Sequence, residues 1–257
     1  MTDSVAAIEL LPQLGSGLVA CYARRSGGVS GAEFSSLNLG FSTGDDRDRV
    51  VENRRRLALA VGAPLERWIV TGQVHGAEVL VVDRAAAGTG STGVVKSLPA
   101  ADAVVLLHPG SFALSLSADC PLVLVADPTT RLAGVAHAGW RGTVAGVVEN
   151  LVQALLAQGA RAADLHAAVS PGIGQCCFEV GPEVLQAAAA RPGFAAAARG
   201  NYLDLRTLHR HSLEQLGVAP SRIAVSAECS ACTPEHYFSH RRDHGRSGRN
   251  GALIGWR

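Results

Sequence analysis

A chain of 257 residues with 47% hydrophobic and 18% charged side chains has enough apolar surface for one sizeable core. A net charge of +1, with 23 Lys and Arg against 22 Asp and Glu, argues against a nucleic-acid partner, which calls for a basic excess. No apolar run reaches the roughly 18 residues of a membrane span. Asp3 and Glu9 fall where a secretory leader would be basic and then apolar, so the expected compartment is the cytoplasm. Thiols stay reduced there. The cysteines (Cys21, Cys120, Cys176, Cys177, Cys229, Cys232) therefore read as metal ligands, nucleophiles or small buried hydrophobes rather than disulfides.

In chain order, Gly17 to Ala23 reads as a strand, followed by a loop rich in turn residues from Phe34 to Gly40. Asp45 and Asp46 open a helix whose apolar positions Val50, Val51, Leu57 and Val61 share a face, and Gly62 ends it. The run Arg54-Arg55-Arg56 reads as the solvated side of that helix. Short apolar runs follow at 68–70, 79–82, 103–107, 112–116, 122–125 and 132–136. They are near-continuously apolar, as strands buried on both faces are. Residues 85–93 read as a mobile loop. One long helix is expected from Thr143 to about Gln158, then a strand at 165–169, helices at 182–190 and 203–216, and strands at 222–226 and 252–256. No fixed-period repeat or linker interrupts this, so the expectation is one domain over residues 1–257.

Three segments share a form, an apolar strand running into a small-residue turn that bears a ligand. They end on His75-Gly76, on Asp119-Cys120-Pro121, and on His137-Ala-Gly-Trp140-Arg141-Gly142. Two imidazoles and a thiolate suit zinc, and three protein ligands with an open position mark a catalytic rather than a structural site. His137 lies just ahead of a helix whose positive end would favour the Cys120 thiolate and a bound anion. Arg141, at the same end, is placed to hold a phosphate or carboxylate. On spacing alone the signal is weak, because the three ligands are far apart in sequence.

Nine stretches carry a resemblance. They are Ser36-Leu-Asn-Leu-Gly40, Glu52-Asn-Arg-Arg-Arg-Leu57, Thr71-Gly-Gln-Val-His-Gly76, Ala101-Asp-Ala103, Ala118-Asp-Cys-Pro121, His137-Ala-Gly-Trp-Arg-Gly142, Ser170-Pro-Gly-Ile173, Cys177-Phe-Glu-Val180, and Tyr237-Phe-Ser-His-Arg-Arg-Asp243 with Gly248-Arg249. In this order they resemble the YfiH-like family, known variously as multicopper polyphenol oxidases, laccase-domain proteins and peptidoglycan editing factors. The resemblance implies an α+β fold with two mixed β-sheets packed between helices in α/β/β/α layers. It implies one catalytic zinc on His75, Cys120 and His137, with copper not expected. It implies phosphorolysis of adenosine, inosine, guanosine or methylthioadenosine, together with deamination of adenosine. Purine nucleosides and phosphate are then the partners, with neither nucleic acid nor membrane. In that chemistry Arg141, Arg241 or Arg242 would neutralise phosphate, and Asp119 or Glu179 would act as acid or orient a ligand. Asn38 and Gln73 would contact ribose or base. Asp119 also reads as a partner to a metal-bound His.

Other readings use the same residues. Cys120 as nucleophile with His137 as base would make a cysteine hydrolase editing peptidoglycan precursors. A metal-dependent binding module would need the ligands alone. A multicopper oxidase needs several His-x-His pairs and usually an axial Met, whereas this chain has one such pair, His209 and His211, and one Met, Met1. Cys229 and Cys232 form a lone Cys-x-x-Cys. A second zinc would need Cys176 and Cys177 as well, and lone pairs are often bystanders. His236, His240 and His244 recur every fourth residue but read as surface or pocket groups.

Overall fold

The computed structural model describes residues 5, 7–14, 17–94 and 98–257, so Asp3 lies outside the described residues. Along the chain run β1 (Ala7–Glu9), β2 (Leu18–Ala23), α1 (Arg47–Val61), β3 (Trp68–Ile69), β4 (Val79–Val82), β5 (Ala103–Leu106), β6 (Phe112–Ser117), β7 (Leu122–Ala126) and β8 (Ala133–His137). Then come α2 (Trp140–Ala145), α3 (Val147–Ala157), β9 (His166–Val169), α4 (Pro182–Ala188), α5 (Phe194–Ala197), β10 (Ala198–Arg199), β11 (Tyr202–Leu203), α6 (Leu205–Gln215), β12 (Ile223–Val225) and β13 (Asn250–Trp256).

Two mixed sheets dominate. One has the order β1-β2-β13-β6-β3 and the other β12-β9-β7-β8-β5-β4. Side chains alternate across a strand, and both faces of the first sheet use that alternation. Leu18, Ala20 and Tyr22 of β2 face the second sheet's Leu122, Leu124 and Val135. Val19, Cys21 and Ala23 face Leu57 and Ala58 of α1. The second sheet turns Val123, Val125 and Ala136 toward Val148, Leu151 and Leu155 of α3 and Leu213 of α6. The layers are therefore α/β/β/α, as the resemblance implied. Burial on both faces explains why most strands lack an alternating pattern. The edge strands β4 and β12 are exceptions, with Val81 and Val225 exposed.

α1 follows from its ends. Asp46 caps it by accepting from the N–H groups of Asp48 and Arg49, and Gly62 closes it in the left-handed conformation at φ 64°. Asp46→Ala is expected to cost about 1 kcal/mol, seen as a drop of roughly 2–4 °C in thermal melting. An unchanged melting point would show that the cap carries no stability.

Three expectations need correction. Arg54 is not on a solvated face: it is 1% exposed and donates to the carbonyls of Leu39, Gly90 and Ser91. Residues 85–93 are pinned rather than loose. The Val70 N–H donates to the Thr89 carbonyl, that of Gly88 to Trp68, and Arg47 reaches the Thr92 carbonyl. Both anchors escaped the composition argument because they rest on backbone groups. The helix expected from Thr143 starts earlier, at Trp140, and breaks at Gly146, whose φ of 85° no helix interior tolerates.

Candidate metal centre and active site

Strand ends assemble the site. β6 of one sheet leads through a turn at 118–121 directly into β7 of the other, so Cys120 sits where the chain crosses between sheets. β7 and β8 pair with Leu122 opposite His137, and β5 flanks β8 with Ala103 opposite Ala136. The His137 N–H donates to the Asp102 carbonyl at 2.7 Å, which fixes Asp102 beside His137 at the same end of the sheet.

The Asp102 carboxylate organises the centre. Its oxygens accept the successive backbone N–H groups of Val74, His75 and Gly76 at 3.0, 3.0 and 2.7 Å. Oδ1 also lies 2.9 Å from Nδ1 of His137. One buried carboxylate thus bends the 74–76 turn, in which His75 adopts φ 62°, and aims the His137 ring so that Nε2 is left for another partner. Non-glycine residues at positive φ are uncommon and cluster at functional sites. Asp119, at φ 89°, is a second case one residue from Cys120. The His75 and His137 rings stand nearly perpendicular with centroids 4.8 Å apart. Ligand atoms of His75, Cys120 and His137 all lie within 4.8 Å of one another, close enough for one small ion to touch all three. Gly139, the residue before α2, makes this possible: a Cβ there would fall 2.8 Å from the Cys120 sulfur. The helix end does abut the thiol, as expected.

Burial opposes charge on His137, but its bonds to Asp102 and Cys120 win and raise it to about 9. Burial also opposes ionisation of Cys120, and here His137 and His75 win, bringing the thiol down to about 7. Between these values the pair is imidazolium and thiolate. A metal must then displace roughly two protons from these two ligands below pH 7, one between 7 and 9 and none above 9. Metal affinity is expected to climb with pH up to about 9 and then level off. Competition titrations with a chelator from pH 6 to 10 check this, and affinity that falls as pH rises would contradict it.

His75, Cys120 and His137 line a cavity of about 540 Å³ together with Gln73, Asp119, Phe178, His240, Arg241 and Arg249. The other expected residues are distributed as follows. Gln73 lines the cavity, but its amide is exchanged in both directions with the backbone of Leu116. Asn38 is fully buried and bonded to Gly40, Thr43, Asp45 and Arg249, so it shapes the loop rather than facing the cavity. Asp119 accepts from Ser230 Oγ at 2.5 Å and from the Arg241 N–H at 2.7 Å; the partner of His137 is Asp102 instead. Arg241 reaches the carbonyls of Cys177 and Glu179 and lies over the Phe178 ring. Arg242 turns away to Asp243 and the carbonyls of Ser230 and Tyr237. Arg141 is exposed and stacked on Trp140, outside the cavity lining. Glu179 is exposed and also outside it.

Sequence reasoning missed the roles of Asp102 and Arg249. The signal for Asp102 was a lone carboxylate opening an apolar strand. Arg249 is drawn toward Cys120 and Asp119 by charge, although burial lowers its pKa. His209 is buried against the Ala138 carbonyl while His211 is half-buried beside Glu214, so the only His-x-His pair diverges. Cys176, Cys177, Cys229 and Cys232, expected to be bystanders, converge as a second group whose sulfurs lie within 4.8 Å of one another. Among the described residues these two groups alone could hold a metal ion, and no helix there is long and apolar enough to cross a membrane.

A family model described as multi-copper polyphenol oxidoreductase laccase matches residues 19–257. The chain belongs to this family. Within the laccase family it is 38% identical to purine nucleoside phosphorylase YlmD of Geobacillus stearothermophilus, over 94% of this chain and 91% of that protein. It is 32% identical to adenosine deaminase RL5 of an unknown prokaryotic organism, over 90% of this chain and 91% of that one. The crystal structure of Bacillus licheniformis hypothetical protein YfiH superposes with a TM-score of 0.92 at 30% identity, covering 99% and 97% of the two chains. The YfiH-like resemblance and its fold are thus established. The family's name points to copper, yet the donors here form one two-histidine, one-cysteine group and one four-cysteine group.

Proposed function

We propose that the chain is a cytoplasmic, zinc-dependent purine nucleoside enzyme that phosphorolyses adenosine, inosine, guanosine or methylthioadenosine and deaminates adenosine. The observation that carries this reading is the convergence of His75, Cys120 and His137 in the wall of a cavity of about 540 Å³ that Arg241 and Arg249 also line. That volume lies within the usual range for a small-molecule site. The names of the relatives supply the substrate class.

The donor set fits zinc: borderline nitrogen and soft sulfur, three protein ligands, and an open side toward the cavity. Zinc there would supply Lewis acidity that lets a water ionise near neutral pH. The chain's own groups do the rest. Asp102 fixes the His137 ring and the 74–76 turn that carries His75, so the His137 imidazole does not have to be ordered during turnover. In phosphorolysis, a phosphate oxygen bonds to C1′ of the ribose as the bond from C1′ to the purine nitrogen breaks. The electron pair leaves with the base, which takes up a proton. Arg249 and Arg241, which line the cavity, would neutralise the attacking dianion. In deamination, a water oxygen adds at C6 and the amine leaves as ammonia. Asp119 holds the Arg241 backbone in place and has no hydrogen bond to either histidine.

A cysteine hydrolase draws on one observation, the thiol brought down to about 7. A nucleophile–base dyad needs one imidazole, however, and this sulfur is approached by two. Incubation with inosine, with and without phosphate, tests the proposal. Hypoxanthine and ribose 1-phosphate are expected in equal amounts and only with phosphate. No phosphate-dependent base release from any of the four nucleosides would sink it.

A further inference from the structure

Four thiols meet away from the catalytic centre. Cys176 and Cys177 lie on a turn in which the N–H groups of Cys177 and Phe178 both reach the Gly174 carbonyl. Cys229 and Cys232 lie on a second turn, where the N–H groups of Cys232 and Thr233 return to the Cys229 carbonyl. The two turns are laced by a bridge between Gly172 and Cys229 and by the Ser230 N–H bonding to the Gly172 carbonyl. The Cys232 sulfur is 3.3 Å from that of Cys177 and 3.6 Å from that of Cys176.

We propose that Cys176, Cys177, Cys229 and Cys232 form a second metal site, a structural zinc tetrathiolate. A tetrahedral zinc with bonds near 2.3 Å separates its sulfurs by about 3.8 Å, and all four sulfurs here fall within 4.8 Å of one another. A disulfide pairs one sulfur with one other. Cys232 instead has two nearly equidistant neighbours, and Cys229 is a fourth at the same point. The Cys229 sulfur accepts the Gly174 N–H at 3.1 Å and further amides from Ala231 and Cys232, and such donors stabilise a thiolate ligand. Gly174 is where everything meets. A Cβ there would fall 3.1 Å from the Arg206 guanidinium, 3.2 Å from the Cys176 sulfur and 3.2 Å from Cys229. Arg206, 7% exposed and anchored on the carbonyls of Ser226 and Glu228, places a positive charge beside a site whose four thiolates exceed the charge of the ion.

The ion's task follows from what it would tie together. Residues between β12 and β13 contain no helix or strand, yet they supply His240, Arg241 and Arg249 to the cavity. The other turn supplies Ile173 and Phe178. Zinc on the four sulfurs would clamp these two walls to each other.

The test is the zinc content of the full chain, purified under reducing conditions, measured by elemental mass spectrometry. Wild type is expected to hold two zinc ions per chain, Cys232→Ser one, Cys120→Ala one, and the double variant none. Cobalt replacement should give wild type strong sulfur-to-cobalt charge-transfer absorption that Cys232→Ser largely loses and Cys120→Ala largely keeps. Should Cys232→Ser fail to fold, the wild type still decides: withdrawing the second zinc with a chelator should expose four thiols together to a thiol reagent. A wild type with at most one zinc, lost in Cys120→Ala, would overturn the proposal. So would a Cys177–Cys232 or Cys176–Cys232 disulfide peptide from the native chain. Either result leaves the nucleoside reading untouched, because that reading depends on Cys120.

Discussion

Cys120→Ala is expected to abolish metal binding at the catalytic centre and to lower phosphorolysis and deamination together, each by roughly 10³-fold. The magnitude follows from a Lewis acid's contribution of several kcal/mol, at 1.36 kcal/mol per factor of ten. The sulfur is the middle of the arrangement: both imidazoles face it, and Gly139 is kept small by it. Two histidines left behind offer an ion too few donors. The fold should survive, since the Asp102 bonds that shape the centre do not involve the sulfur. Zinc content, the two turnover rates and thermal melting check this together. Retained zinc with lost activity would point to Cys120 as a nucleophile, and retained activity would remove Cys120 from the chemistry.

Arg54→Met is expected to destabilise the fold by about 3 kcal/mol. Burial alone lowers the Arg54 pKa to about 9, so the position is one where a charge is costly. It is tolerated because the guanidinium donates to the carbonyls of Leu39, Gly90 and Ser91 and stacks on the Phe41 ring. Removing it strands three carbonyls at about 1–3 kcal/mol each, partly offset by the charge no longer buried. Melting should fall by roughly 6–12 °C, and KM should rise, since Phe41 and Arg54 both line the cavity. A melting point within a degree of wild type would show that water replaces the lost donors.

The layers were legible because strands 103–106 and 122–126 are apolar throughout, 133–137 is so up to His137, and α3 carries a continuous apolar face. The candidate ligands were legible weakly from residue type and strand-turn form, and sharply only through a resemblance. Their spacing in sequence follows no rule, because the loop between β3 and β4, the turn between β6 and β7 and the end of β8 meet at one point. Arg54 was misread because helical periodicity reports apolar residues and is blind to a buried cation satisfied by loop carbonyls. Arg141 was misread because its helix starts three residues before the expected Thr143, which turns its side chain outward onto Trp140. Asp102 escaped because its four partners, three amides and one imidazole, come from turns and strand ends far apart in sequence. The four-thiol cluster escaped because two Cys pairs as far apart as Cys177 and Cys229 give no local sign of meeting.

The central claim is that nucleoside chemistry occurs at the His75, Cys120, His137 centre with zinc in place. Stripping the chain with a chelator and titrating zinc back, while following inosine phosphorolysis and adenosine deamination in parallel, tests it most directly. Both activities should vanish on stripping, return together and saturate once the Cys120 site is filled. Either activity persisting at full rate in the stripped chain would contradict the account.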